Sequence, residues 1–318
     1  MQVADAGMGV PEGSGVLPGL GAAAAAMVAW GFSGILVALT TQPALVVALE
    51  RMALGVPLIA AMLVASRRRL TWRVLWRAVP GGVLLSGDIA MFYSAVKLTS
   101  IADATIIGAL QPALVLFVAR PLFGERVRPT QMLWTVIAIV GVGAVVVGAA
   151  PKGSDPVLGD WLAAGSTCCW TGYWLVSKHL RTPRARPGPR PAAAEVLGTV
   201  EYTAGVMLVA TVAIAPVTLL SGERLTGGTP ADWLWMGLLA LIPGGAHLLI
   251  NWSHRFVGVS VSSVIVSVNP VVAAGAAVVV LGQHLDGIQV VGGAVAIVAV
   301  SIIARRAARE ELALATAA

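Results

Sequence analysis

Apolar residues run almost unbroken through ten stretches of this chain, separated by short breaks rich in Gly, Pro or Arg. The stretches lie at about 20–40, 44–65, 78–98, 101–123, 131–149, 158–180, 196–220, 231–255, 259–281 and 287–304. Each is close to the ~20 residues a helix needs to cross a bilayer core. Continuous apolarity over such lengths predicts spanning helices rather than amphipathic surface helices. The longest break, about 181–195, contains RTPRARPGPRP and predicts a flexible loop between helices 6 and 7.

Two of the stretches carry a central polar–proline pair. Helix 4 has Gln111-Pro112 and helix 9 has Asn269-Pro270. The two prolines lie 158 positions apart, from 112 to 270. At the same offset Gly124 meets Gly282, Gln131 meets Gln289, Lys97 meets Arg255 and Tyr93 meets Asn251. The pattern predicts a duplicated membrane unit of five helices. Five is odd, so the second unit crosses the membrane in the opposite sense, which makes an inverted repeat. Paired interrupted helices in such repeats mark a midplane binding site. Trp30-Gly31 against Trp170-Thr171, at an offset of 140, is a weaker echo.

Composition agrees. Hydrophobic residues make up 58% and charged residues 11% of the 318, against about 25% charged in soluble domains. No soluble domain fits. The net charge of +6 is topological and does not point to nucleic acid. With both termini on one side, all of the 21 Lys and Arg except Arg51, Lys97, Lys152 and Arg224 fall on that side. The positive-inside rule makes it cytoplasmic. The first 19 residues hold Asp5 and Glu12 but no Lys or Arg, unlike a cleavable signal. The expected fold is an all-α integral membrane protein, with ten transmembrane helices as a 5+5 inverted-topology repeat. Its parts are a tail at 1–19, repeats at 20–150 and 158–305, and a cytoplasmic tail at 306–318. Cys168 and Cys169 are adjacent, have no metal spacing, and read as packing residues. No metal site or cofactor is expected.

Proline removes a helical hydrogen bond, so Pro112 and Pro270 free the carbonyls of Gly108 and Val266. In lipid such groups must face protein or a water-filled cavity. Gln111 and Asn269 sit beside these kinks and either line a cavity or repair the kink. Asp88, near the middle of helix 3, is an intramembrane carboxylate and so a functional candidate. His247 on helix 8 lies within one residue of the equivalent position. An imidazole changes charge near neutral pH. One or both are candidates for carrying coupling protons, for pairing with each other, or for a structural hydrogen bond. Trp30, Tyr93, Trp170 and Tyr173 are inner aromatics that either wall a cavity or pack between helices, and Tyr93 and Asn251, matched at the 158 offset, supply polar groups at an equivalent depth. Trp72, Trp76, Trp134, Trp161, Trp233 and Trp235 fit interfacial belts. Glu50-Arg51 reads as an interfacial ion pair, Asp103 as a helix cap, and Glu201 as lining an inner vestibule. Helices 5 and 10, rich in Val, Ala and Gly, read as scaffold or a dimer face.

The stretch 92–131, with Gln111-Pro112 followed by Gly124-Glu125-Arg126, resembles the signature region of EamA-type drug/metabolite transporters. Trp30-Gly31, the ten spans and the basic tail are similar too. The second half departs from that pattern, with Gly282-Gln283-His284 where the acid would stand. The resemblance implies export of a small molecule such as an amino acid. Nucleotide-sugar or drug transport or facilitation by the same fold is the alternative. Its partners would be the bilayer, a small-molecule substrate, protons and a second copy of the chain. Rivals are weaker. Gly31-Phe32-Ser33-Gly34 and His247-x-x-x-Asn251 resemble the motifs of rhomboid proteases, but in reversed order. No carboxylate ring suggests a channel, and no GxxxxGK[ST] stretch suggests ATP hydrolysis.

Overall fold

A computed structural model describes residues 16–111, 114, 129–148, 153–181, 197–225, 227–253, 268–282, 284 and 286–317. Among these the chain is helical, without strands. The elements are α1 (Val16–Gly31), α2 (Ser33–Ala38), α3 (Ala44–Ala65), α4 (Trp72–Leu98), α5 (Ile101–Gly108) and α6 (Pro129–Gly148). They continue as α7 (Pro156–Arg181), α8 (Thr199–Leu220), α9 (Pro230–Ser253), α10 (Val268–Leu281) and α11 (Gly287–Ala317).

Local chemistry sets many of the ends. Ser100 caps α5 by accepting from the Asp103 amide at 3.0 Å. Thr229 and Asp232 cap α9 reciprocally, Thr229 Oγ1 accepting from the Asp232 amide and the Asp232 carboxylate accepting from the Thr229 amide. Both arrangements satisfy amides that a helix start leaves open. Three boundaries depart from the apolar pattern. The first predicted helix is broken at Phe32 into α1 and α2. α4 begins at Trp72, not 78, with Thr71 as its cap. α11 runs on to Ala317, because the Ala-, Glu- and Arg-rich tail has high helix propensity although it is polar.

Five of the helical segments are long and apolar enough to cross a membrane: Pro18–Ala38, Ala44–Ala65, Trp72–Leu98, Thr199–Leu220 and Pro230–Ser253. α7 is long enough, but Asp160 near its start and Lys178, His179 and Arg181 at its end lower its apolarity. The surface is apolar where a soluble protein would be polar. Leu220 is 88% exposed and Val279 84% exposed, positions suited to lipid.

The packing has a regular logic. α4 lies against α7 and α8, while α9 lies against α1 and α3. α3 packs on α8, α5 on α10, and α6 on α11. α5 also meets α7, and α10 meets α1. Small residues make the tightest contacts. A Cβ on Gly31 would sit 2.7 Å from Val272 of α10, and one on Gly141 would sit 2.8 Å from the Gly292 carbonyl of α11. Helices approach this closely only where a side chain is missing. The α6–α11 pair is the Val-, Ala- and Gly-rich pair expected from the sequence to be scaffold.

One end of the bundle is joined by a set of polar contacts. There Asp232 of α9 accepts from the Thr41 amide (2.6 Å) and hydroxyl (2.7 Å) after α2. Lys97 donates to the carbonyl and hydroxyl of Thr40, and Thr99 donates to Asp160 of α7 at 3.0 Å. We call this the threonine end. The opposite, arginine-rich end has one described ion pair, Arg68–Glu201 at 3.2 Å, with Arg68 largely exposed. Glu201 therefore ties α8 to the α3–α4 loop.

Candidate functional site

Between the two ends a cavity opens among α1, α2, α3, α4, α5, α7, α9 and α10. It offers about 120 Å³ of water-accessible space, on the order of ten waters. Asp88, Gln111, Trp30, Tyr93, Trp170 and His247 all line it, as does Asn269. Residues far apart in sequence thus meet in one chamber.

α9 shapes one wall of the chamber through a proline that the sequence reading passed over. Pro243 lies inside α9. Without an N–H it cannot bond the carbonyl four residues back, that of Leu239. Arg51 of α3 takes that place, its Nε donating to Leu239 O at 3.3 Å. The Trp30 indole N–H donates to Pro243 O at 2.9 Å. One turn further on, His247 is buried. Its ring lies 5.0 Å from Trp30, 5.9 Å from Tyr173 and 6.0 Å from Trp170. Trp30 and Trp170 meet edge to face at 4.8 Å, the arrangement that aromatic quadrupoles favour.

Arg51 is the main correction to the sequence reading. It is no interfacial partner of Glu50. It is only 3% exposed, lines the cavity, and has no carboxylate within ion-pair distance among the described residues. Its guanidinium carbon stands 5.8 Å from the Tyr93 ring centroid, within cation–π reach. A stripe of buried residues, Val47, Ala48, Arg51 and Met52, has helical spacing. A lone Arg within an apolar span was the available signal.

Asp88 is half-buried and accepts from Ser166 Oγ at 2.6 Å. Ser166, not His247, is its hydrogen-bonding neighbour, although both ionisable groups border the same space and feel the Arg51 charge. Asn269 donates to the Met27 carbonyl of α1 at 3.2 Å, so it bridges helices. Gln111 differs: it is 2% exposed, and neither its amide nitrogen nor its oxygen has a hydrogen-bond partner among the described residues. The His247 Nδ1 and the Tyr93 hydroxyl are also buried without a hydrogen bond of normal geometry, though Ser33 and Arg51 are polar neighbours of Tyr93.

Two expected site residues lie elsewhere. Tyr173 and Asn251 do not border the cavity. Asn251 Nδ2 donates to Thr203 Oγ1 at 2.9 Å and lies 3.5 Å from the Tyr173 hydroxyl, a network that joins α7, α8 and α9. Pro112 lies outside the described residues, and of Pro270 only the helical backbone is described. Asp103, expected to be a simple cap, is buried and accepts from Gln289 Nε2 of α11 at 2.8 Å. Ser33 and His247 share the cavity, but no hydrogen bond joins them among the described residues. A serine nucleophile needs such a base. Among the described residues no group of His, Cys, Asp or Glu could hold a metal.

The sequence pattern of the family described as "EamA-like transporter family" matches residues 17–147 and 157–305. The "Threonine/homoserine exporter RhtA" of Salmonella typhimurium, in strains SL1344 and LT2, is 24% identical over 251 residues, covering 76% of this chain and 75% of the exporter. One solved crystal structure shares the fold with a TM-score of 0.64 at 23% identity, over 94% of this chain and 99% of that one.

Proposed function

The chain belongs to the EamA-like transporter family, and from that premise we propose that it is a secondary transporter that exports small metabolites by alternating access. Amino acids or close relatives are the proposed cargo, in keeping with the threonine and homoserine in the name of the Salmonella exporter. The observation that carries the reading is a pair of buried polar groups on one chamber without a hydrogen-bond partner among the described residues, the Gln111 amide and the His247 Nδ1. A buried polar group without a partner costs about 1–3 kcal/mol. A binding site is where such a cost is offset, because the ligand completes the hydrogen bonds.

The proposed architecture is ten helices as two inverted five-helix units, with both termini cytoplasmic. Two features support it. The family pattern matches each half separately. The helix neighbours also keep their relations when each predicted helix is exchanged with the one five places along: α1 with α9 answers α7 with α4, and α5 with α7 answers α10 with α1. Rocking of the two units about the chamber would open it to either side.

We assign the coupling proton to Asp88, the carboxylate on the chamber wall. Uptake into proteoliposomes with an imposed pH gradient, against amino acids and nucleotide sugars, tests this. Wild-type protein should accumulate one cargo saturably and only with the gradient. Asp88→Asn should lose gradient-driven accumulation, and whatever cargo it still exchanges should no longer respond to the pH gradient. Full gradient-driven accumulation by Asp88→Asn would remove the proton role from Asp88, and equilibration without accumulation by the wild type would make the protein a facilitator.

A further inference from the structure

The charge inventory of the chamber narrows the cargo further. Two ionic side chains border it, Arg51 and Asp88. Neither is in an ion pair: the ion pair between described residues is Arg68–Glu201 at the arginine-rich end. The Arg51 guanidinium uses Nε to hold the Leu239 carbonyl. Its planar fork has a second donor edge suited to bidentate carboxylate recognition. Its 3% exposure within an apolar span is a costly place for a cation without an anion. Asp88 supplies a distant compensating charge, close enough to feel Arg51 but held by Ser166. The remaining walls are aromatic and uncharged at Trp30, Phe92 and Trp170.

Resting on the transport reading above, we propose that Arg51 and Asp88 form a zwitterion clamp: Arg51 anchors the carboxylate of an α-amino acid, and Asp88 receives its ammonium group. One cation and one anion on the wall match a cargo with one of each. A cargo with a carboxylate alone would leave Asp88 facing an uncompensated charge, and an amine alone would do the same for Arg51. The clamp thus selects for net neutrality with separated charges. It also makes proton and ammonium alternative occupants of the Asp88 carboxylate, which is consistent with exchange of one for the other. Pro243 is the positioning element, since the carbonyl it leaves free orients Arg51.

Counterflow into proteoliposomes tests the clamp with L-threonine, L-threoninamide and N-acetyl-L-threonine, and with the same three forms of L-leucine. Wild-type protein should exchange at least one free amino acid and discriminate against its amide and its N-acetyl form by at least about 100-fold, since a site built to hydrogen-bond a substrate's polar group rejects analogues lacking it by about 10⁴-fold or more. Arg51→Gln should lose most of that discrimination against the amide, and Arg51→Lys should keep part of it. Melting temperature in detergent confirms that both variants fold. Wild-type exchange of an amide within about twofold of its acid, below the discrimination a matched site gives, would overturn the clamp and leave the transporter reading intact. Exchange of nucleotide sugars with none of these six compounds would overturn it too. Absence of saturable exchange of any cargo would overturn both readings.

Discussion

At the threonine end Asp232 is 1% exposed and accepts hydrogen bonds from the amides and hydroxyls of Thr41 and Thr229. In the chamber Gln111 is as deeply buried and makes none. Lys97, at the threonine end, has two oxygens of Thr40. Arg51, in the chamber, holds the Leu239 carbonyl beside the Tyr93 hydroxyl and has no carboxylate within ion-pair distance among the described residues. The burial is similar and the satisfaction differs. A saturated polar cluster fixes helices relative to each other. An unsaturated one is held open by its surroundings and binds what completes it. The first region acts as a seal and the second as a site.

This contrast breaks most visibly at Asp232. Asp232→Ala leaves four donors without their acceptor, so it should destabilise the protein by about 2–4 kcal/mol, read as a fall in melting temperature in detergent. A drop no larger than that of an exposed substitution would show the threonine end to be a loose contact. Gln111→Leu should behave oppositely. Replacing an orphan amide by an apolar group of similar size is neutral or stabilising, so melting should hold or rise while cargo exchange falls at least tenfold, about the weight of one lost hydrogen bond to a charged group. A loss of stability equal to that of Asp232→Ala would mean that Gln111 is a structural group. The smallest effect belongs to Arg68→Gln. Its partner Glu201 is partly buried but Arg68 is 62% exposed, and such pairs contribute about 0.2–1 kcal/mol. A larger shift in melting would mark the arginine-rich end as a second seal.

Much of the architecture was legible in the sequence because lipid imposes it. Apolar runs of spanning length and the Lys and Arg asymmetry follow from the medium rather than from packing. Within a helix apolar on all sides, however, no polar face shows which side turns inward. Arg51 was therefore assigned to the interface from its nearness to the start of α3, and its place on the chamber became visible only with the fold. The prolines show the same limit. Pro112 and Pro270 drew notice through their repeat, whereas Pro243 has no counterpart at that offset, Leu85 standing there. Yet Pro243 frees the carbonyl that orients Arg51. Asp88 and His247 were found because a titratable group inside a span is rare. Tyr173 and Asn251 were grouped with them by depth alone, and depth does not separate a cavity wall from a contact between helices.

The most direct test compares gradient-driven uptake of an amino acid by wild-type and Gln111→Leu protein in the same proteoliposomes, with melting temperatures measured alongside. Saturable accumulation by the wild type, lost in Gln111→Leu at an equal or higher melting temperature, is the predicted result. Accumulation unchanged by Gln111→Leu would contradict the claim that the chamber between the two ends is where cargo binds.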